Sequence, residues 1–176
     1  MTTLQEACSI FASGARSDAL RKLIADPKAR RIRLEGLEGS APAMLFASLG
    51  LKRPALIVAD DADTAGYMYH DLCQILGQEG VAILTSAYKR DIRYGQIDPP
   101  SQILRTETLD AYSSGKARWI VSWPEALAEK VPAPERLEEA RLSLKSGTKA
   151  SMSDTVAKLR EEGFRQTDHV YEPRQF

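Results

Sequence analysis

Short apolar runs alternate with stretches of helical periodicity along the first 131 residues, and this alternation constrains the fold more than any other feature. Continuous apolar runs suit parallel strands that are covered by helices on both faces. The predicted strands are residues 32–34, 55–59, 81–84 and 119–123. The pattern therefore predicts an α/β fold with a largely parallel sheet and helices on both faces.

The turn after the first predicted strand has the pattern of a phosphate-binding turn. Gly36 and Gly39 predict a tight turn, Ser40 is a candidate helix cap, and an apolar helix follows. A helix that begins after a glycine turn presents free backbone N–H groups to an anion. In the phosphate-loop signature G-x-x-x-x-G-K-[ST], counted from Gly36, the last three positions are Ala41, Pro42 and Ala43.

The residues that give a phosphate loop its chemistry are absent from this turn. The signature lysine that would reach the phosphates is absent, and so is the signature hydroxyl that would hold Mg²⁺. Pro42 lacks a backbone N–H, and Glu38 adds a negative charge. The turn is either a degenerate phosphate loop or an ordinary tight turn, and we expect this chain to have no catalytic residues, cofactor or metal.

The charge pattern says more than the net charge does. The chain has 24 basic and 24 acidic residues, but residues 16–33 contain seven basic residues against two aspartates. This segment suits either phosphate binding or a solvated helix face.

Cys8 and Cys73 match no disulfide or metal-site spacing. Because no leader or membrane-spanning run is apparent, we expect a cytoplasmic protein with no membrane contact.

Residues 86–109 interleave basic and aromatic side chains. Such a composition suits a nucleic-acid backbone with a base or sugar packed alongside. It is equally compatible with a surface loop held by ion pairs to Asp91, Asp98 and Glu107. The candidate DNA-contacting residues are Lys89, Arg90, Arg93, Tyr94 and Arg105.

The composition changes at residues 131–140, and a different pattern follows. We expect a strand over residues 141–145, a helix from about Ser153 that ends at Gly163, and a final strand over 169–176. A unit with so little apolar surface would hardly be stable alone, so we expect the chain to stop inside a small second α+β domain. The predicted segments are a first domain (1–131), a linker (132–140) and the start of that second domain (141–176).

Several stretches together resemble one protein family. They are LEGLEGSAPAMLFAS (34–48), AGYMYHDLCQILG (65–77), YKRDIRYGQIDP with ILRTETL (88–109), and GFRQTDHVYEPRQF (163–176). They are similar to the N-terminal region of the bacterial transcription-repair coupling factors (Mfd), in a form such as Bacteroidetes carry. The resemblance covers nearly the whole chain, and the loop and the closing segment are its most specific parts.

The resemblance implies a helicase-like first domain up to about Val131, followed by the start of the small domain that binds UvrA. The region is itself similar to the excision-repair helicase UvrB, whose intact phosphate loop corresponds to residues 36–43 here. In the coupling factors this loop has lost its catalytic residues, and the working ATPase, with its ATP and magnesium, lies far downstream. UvrB also carries a long aromatic hairpin where this chain has one loop and one helix.

The implied function is that of a non-catalytic adaptor in transcription-coupled nucleotide excision repair. It would recruit UvrA, with RNA polymerase and DNA as partners of the full-length protein. The candidate UvrA-binding residues are Phe164, Arg165, Gln166 and Phe176. The alternative is a nucleotide-binding fragment of an ATP-dependent, UvrB-like helicase, which needs the lysine and hydroxyl that are absent here. One position departs from the family: Arg174 replaces the glycine of its closing E-P-G-Q-F motif.

Overall fold

The computed structural model describes residues 4–88, 97–147, 149–172 and 174–176. Within these ranges the chain is mixed α/β, with eight helices and a three-stranded parallel sheet. The strands are β1 (Ala55–Val58), β2 (Val81–Ile83) and β3 (Trp119–Ser122). The helices are α1 (Leu4–Ala12), α2 (Ala15–Ala25), α3 (Ala41–Ser48), α4 (Ala62–Leu76), α5 (Pro99–Ser113), α6 (Pro124–Ala128), α7 (Pro134–Ala140) and α8 (Met152–Glu161).

The sheet has the order β1-β3-β2, and both pairings are parallel. Ala55 of β1 and Val81 of β2 both lie level with Trp119 of β3, so the three strands begin at the same edge. The parallel sheet is thereby confirmed, and three of the predicted strands are present with ends within one residue of the prediction.

The core lies between one face of the sheet and helices α3 and α4. Val121 and Leu72 are completely buried there, and Trp119 stacks on Phe46 with ring centroids 6.4 Å apart. Helix α5 covers β2 on the opposite face, where the Thr108 hydroxyl donates to the Ile83 carbonyl at 2.8 Å. Helices therefore cover both faces at β2, whereas Leu56 and Val58 of the outer strand β1 are each 52% exposed.

The strand predicted at residues 32–34 is not formed. This segment has no regular secondary structure, Leu34 is 40% exposed, and Arg33 pairs with Glu35 in solvent at 2.8 Å. Charged residues flank both apolar side chains of the segment. A strand covered on both faces would have to bury those charges, which is too costly for the apolar area gained. The glycine turn therefore follows an irregular segment rather than a strand.

The second predicted unit also differs from expectation. Residues 141–145 and 169–172 form no strand, and the first of these segments leaves Leu144 exposed. The predicted linker instead contains helix α7, and Arg141 just after it makes an ion pair with Asp110 of α5. Extended segments become strands only when a partner accepts their hydrogen bonds, and here the pairing is limited to an isolated bridge between Arg165 and Gln175.

Helix α8 ends as its sequence predicts. Gly163 has a φ of +79° and donates to the Arg160 carbonyl at 3.0 Å, while Phe164 donates to the Leu159 carbonyl at 2.9 Å. These two bonds form the Schellman motif, which satisfies the last carbonyls of a helix. The motif turns Phe164 back toward the helix and directs the chain into the segment that carries Arg165.

Candidate functional site

The glycine turn has the backbone conformation that its residues require. Gly36 and Gly39 have φ values of +74° and +56°, in the region that L side chains rarely adopt. A Cβ atom at either position would meet nothing within 4 Å, so the backbone angle alone accounts for the glycines. Ser40 occupies the N-cap position of α3, but its side chain makes no capping bond, so that prediction is wrong.

Two backbone positions at the start of α3 offer no free N–H group to an anion. The Ala41 N–H donates to the Glu38 carbonyl at 3.1 Å, and Pro42 at the first turn of α3 has no N–H to offer. The side chain of Ala43 is completely buried against the core. The turn thus forms a hydrogen bond to itself where a phosphate loop would bind a phosphate. Elsewhere in the described ranges, no cluster of three or more His, Cys, Asp or Glu side chains is placed to bind a metal.

The basic loop, defined here as residues 88–97, begins shortly after the carboxyl end of β2. Tyr88 and Ile97 form an antiparallel bridge, and the Asp98 N–H donates to the Ala87 carbonyl at 2.9 Å. The chain therefore departs and returns at a single point. The candidate DNA residues Lys89, Arg90, Arg93 and Tyr94 fall between these two ends and lie outside the described residues.

Arg105 occupies a different position from the one that its sequence context predicts. Its side chain on α5 is buried, with 5% of the residue exposed, and it donates to the carbonyls of Thr85 at 2.6 Å, Ala126 at 3.0 Å and Glu129 at 3.2 Å. Its Nε atom lies 3.9 Å from the Glu129 carboxylate. A guanidinium that is buried and bonded in this way does not reach a DNA backbone, so Arg105 is removed from the candidate set.

Glu129, which sequence reasoning did not select, completes this buried network. Its carboxylate accepts a hydrogen bond from the Ala87 N–H at 2.9 Å and another from the Ser86 hydroxyl. The Arg105–Glu129 pair therefore holds the segment from which the basic loop departs. Spacing could have revealed the inward direction of Arg105, because Thr108 and Leu109 follow it at the i+3 and i+4 positions of one helix face.

The candidate partner-binding residues are brought together at the end of the chain. The Arg165 N–H donates to the Arg174 carbonyl at 2.8 Å, and the Phe176 N–H donates back to the Arg165 carbonyl at 2.9 Å. Phe164 and Phe176 are half-buried, whereas Gln166 is exposed and accepts from Arg160 at 2.6 Å. Arg165 is exposed, and its guanidinium makes no ion pair with any described residue.

Arg174 has a left-handed backbone, which explains the glycine expected at its position. Its φ is +70°, and among the described residues it is the one non-glycine with a positive φ. Its guanidinium nitrogen lies 3.1 Å from the point where a Cβ of Gly163 would be, at the C-terminal end of α8. A cation near a helix C-terminus is favourable and offsets part of the cost of the left-handed backbone.

A groove of about 640 Å³ lies between α5 and the closing segment. Ile103, Leu142 and Phe164 supply apolar surface to it, and Arg174 lies on its wall. The groove places the candidate residue Phe164 next to the first unit of the chain.

No model of a known protein family matches this chain, and a search of curated proteins finds no relative either. In the described part of the chain, no helix combines the length and the apolar character needed to cross a membrane. A functional assignment therefore depends on the residues and geometry described above.

Proposed function

We propose that this chain is the UvrB-like adaptor module of a transcription-repair coupling factor, with a helicase-like first domain that binds partners rather than nucleotides. It recruits UvrA through its closing segment during transcription-coupled nucleotide excision repair. RNA polymerase is a partner of the longer protein, and DNA is contacted weakly. The basis is the resemblance of four stretches to that family, together with the geometry of the glycine turn.

The single observation that supports this proposal best is the closed glycine turn. An active nucleotide-binding module needs a lysine, a hydroxyl and several free N–H groups at this turn. Here the lysine and the hydroxyl are absent, and the Ala41 N–H donates to the Glu38 carbonyl. The turn therefore lacks the groups that would bind the phosphates of a nucleotide, which favours an adaptor over the UvrB-like helicase fragment.

The exposed guanidinium of Arg165 supports the assignment of a protein partner. The backbone of Arg165 is fixed by pairing with Arg174 and Phe176, so the side chain projects from a defined position. Arginine suits an acidic partner because its planar fork makes two parallel bonds to one carboxylate. The apolar half-buried rings of Phe164 and Phe176 lie on the same short segment.

The test is a pull-down of purified UvrA on the immobilised chain. We expect retention of UvrA by the wild type, and a loss of at least tenfold in affinity for Arg165→Glu, which corresponds to about 1.4 kcal/mol. Arg136→Glu is the matched control, because Arg136 is also an exposed arginine and lies on α7, outside the closing segment. If wild-type chain retains no UvrA, the proposal is wrong. If Arg165→Glu binds as well as the control, Arg165 is not part of the surface.

The DNA contact has its own test. We assign it to Lys89, Arg90 and Arg93 of the loop, supported by the basic residues of segment 16–33. Contact with phosphates must weaken steeply as salt rises, because each neutralised phosphate releases counterions. Binding that is unchanged between low and physiological salt, or that survives the change of all three loop residues to alanine, contradicts this assignment.

A further inference from the structure

The three connections that lead from a helix into a strand meet at one edge of the sheet. Residues 49–54 join α3 to β1, residues 77–80 join α4 to β2, and residues 114–118 join α5 to β3. Because the strands are parallel and begin level with one another, these connections enclose a cleft of about 420 Å³ at the amino-terminal edge. The residues that line the cleft include none from the glycine turn, the closing segment or the described ends of the basic loop.

The walls of this cleft are basic. Lys52, Lys116 and Arg118 line it, and Glu79 is the one acidic residue among its lining residues. All three cations are exposed, and in the part of the chain that the structure describes none of them takes part in an ion pair. Other basic residues differ: Arg21, Arg105 and Arg141, for example, are each paired with a carboxylate.

Arg118 has the most precisely fixed backbone of the three. Its N–H and that of Trp119 both donate to the Gly80 carbonyl, at 2.8 and 2.9 Å. Its own carbonyl accepts from the Ala55 N–H at 2.8 Å, so the residue is bonded to the starts of both outer strands. The backbone of Arg118 is therefore held between the two outer strands, and the residue lines the cleft.

The three cations are not part of the helices. A cation compensates a helix dipole only where its charge lies close to the last turn of the helix. The last turns of α3, α4 and α5 contain no basic residue, although all three helices end at this edge. The cations lie instead in the connections beyond the helices, where their shared environment is the cleft.

The inner surface of the cleft is apolar. Ala47, Leu51, Val81 and Trp119 contribute to it. A volume of about 420 Å³ is in the range of sites that accept one small organic group. A ligand that suits both surfaces has negative charges for the rim and a flat, weakly polar group for the interior.

We propose that this cleft binds single-stranded nucleic acid, with phosphates on Lys52, Lys116 and Arg118 and one base against the apolar surface. A strand fits better than a duplex, because its bases are free to turn away from one another and enter a cleft. The inference goes beyond the recruitment of UvrA and does not depend on it. It also assigns a nucleic-acid contact to residues other than those of the basic loop.

The experiment is fluorescence anisotropy with a labelled twelve-nucleotide DNA strand, measured over a series of salt concentrations. The cleft variant changes Lys52, Lys116 and Arg118 to alanine. The control variant changes Lys130, Arg136 and Lys149 to alanine, so that it loses the same charge at exposed positions that do not line the cleft. We expect the cleft variant to bind at least tenfold more weakly, with the slope of log K against log salt reduced by about 2, since each single-strand phosphate contact contributes about 0.7. The control variant should keep the wild-type slope to within about 0.7, which is the contribution of one phosphate contact.

Four outcomes decide against the cleft. Equal binding by the cleft variant and the control variant overturns the proposal, as does a wild type that does not bind the strand at low salt. If affinity falls only when Lys89, Arg90 and Arg93 are changed, the cleft is not the site, while the DNA contact assigned to the loop stands. If AMP alone binds the cleft as tightly as the strand does, the site is a mononucleotide site and the proposal for a strand is wrong. A urea midpoint equal to that of the wild type shows that the variants are folded.

Discussion

The change Arg105→Met tests the buried network at the base of the basic loop. Methionine keeps much of the side-chain volume but removes the donors to three carbonyls and the cation near Glu129. The Glu129 side chain is only 16% exposed, so its carboxylate would lose its buried counter-charge. Removal of one partner from a buried ion pair typically costs about 3–5 kcal/mol. We expect about 3 kcal/mol, because Glu129 keeps its bonds to Ser86 and Ala87.

Urea denaturation measures this loss as a lower midpoint with an unchanged m value. Arg136→Met is the control, and as an exposed change on α7 it should alter the free energy of unfolding by less than about 0.5 kcal/mol. The double change with Glu129→Gln should cost less than the sum of the single changes, by about 1–2 kcal/mol, because the two side chains interact. A loss below about 1 kcal/mol for Arg105→Met would show that the network does not contribute to stability as described.

Two other predictions concern the backbone and a titrating group. Arg174→Gly should raise the free energy of unfolding by about 0.5–1 kcal/mol, measured by urea denaturation at high salt. Glycine removes the cost of about 1–2 kcal/mol that a left-handed backbone imposes on other residues, but its greater freedom in the unfolded chain cancels part of this gain. A destabilised variant would contradict this. Burial, with smaller effects from the hydrogen bond and charge of Cys73, raises the pKa of Tyr69 above its ordinary 10.0. Because the pKa is raised in the folded state, the contribution of Tyr69 to stability is fully present below about pH 10 and is lost as the pH rises through the folded pKa. Tyr69→Phe should flatten this loss and remove a late step from the absorbance titration of the tyrosines, and an unchanged titration would rule out the shift.

The sheet could be predicted from sequence where apolar residues run without interruption. The segments around Ile57, Ile83 and Val121 have this property, and each became a strand. The same reasoning was wrong at residues 32–34, because charged residues alternate with Ile32 and Leu34. Alternation of this kind is compatible with a half-exposed strand only if a partner strand is available, and the sequence does not reveal whether one is.

The site could be predicted only where local geometry decides it. The glycine stop after α8 and the positive φ of Gly36 and Gly39 follow from glycines that stand at predicted turns. The burial of Arg105 depends on three carbonyls that are distant in sequence, so composition placed it wrongly among the exposed basic residues. The basic cleft joins three separate connections, and only the topology of the sheet brings Lys52 and Arg118 together.

Isothermal titration calorimetry tests, on one preparation, whether this chain binds UvrA and whether it binds a nucleotide. Magnesium-ATP should give no saturable heat below about millimolar, a limit of roughly 4 kcal/mol. UvrA should then give saturable heat with the same sample, and Arg165→Glu should weaken that binding at least tenfold. Micromolar binding of ATP together with no heat from UvrA would contradict the account and favour the UvrB-like helicase fragment.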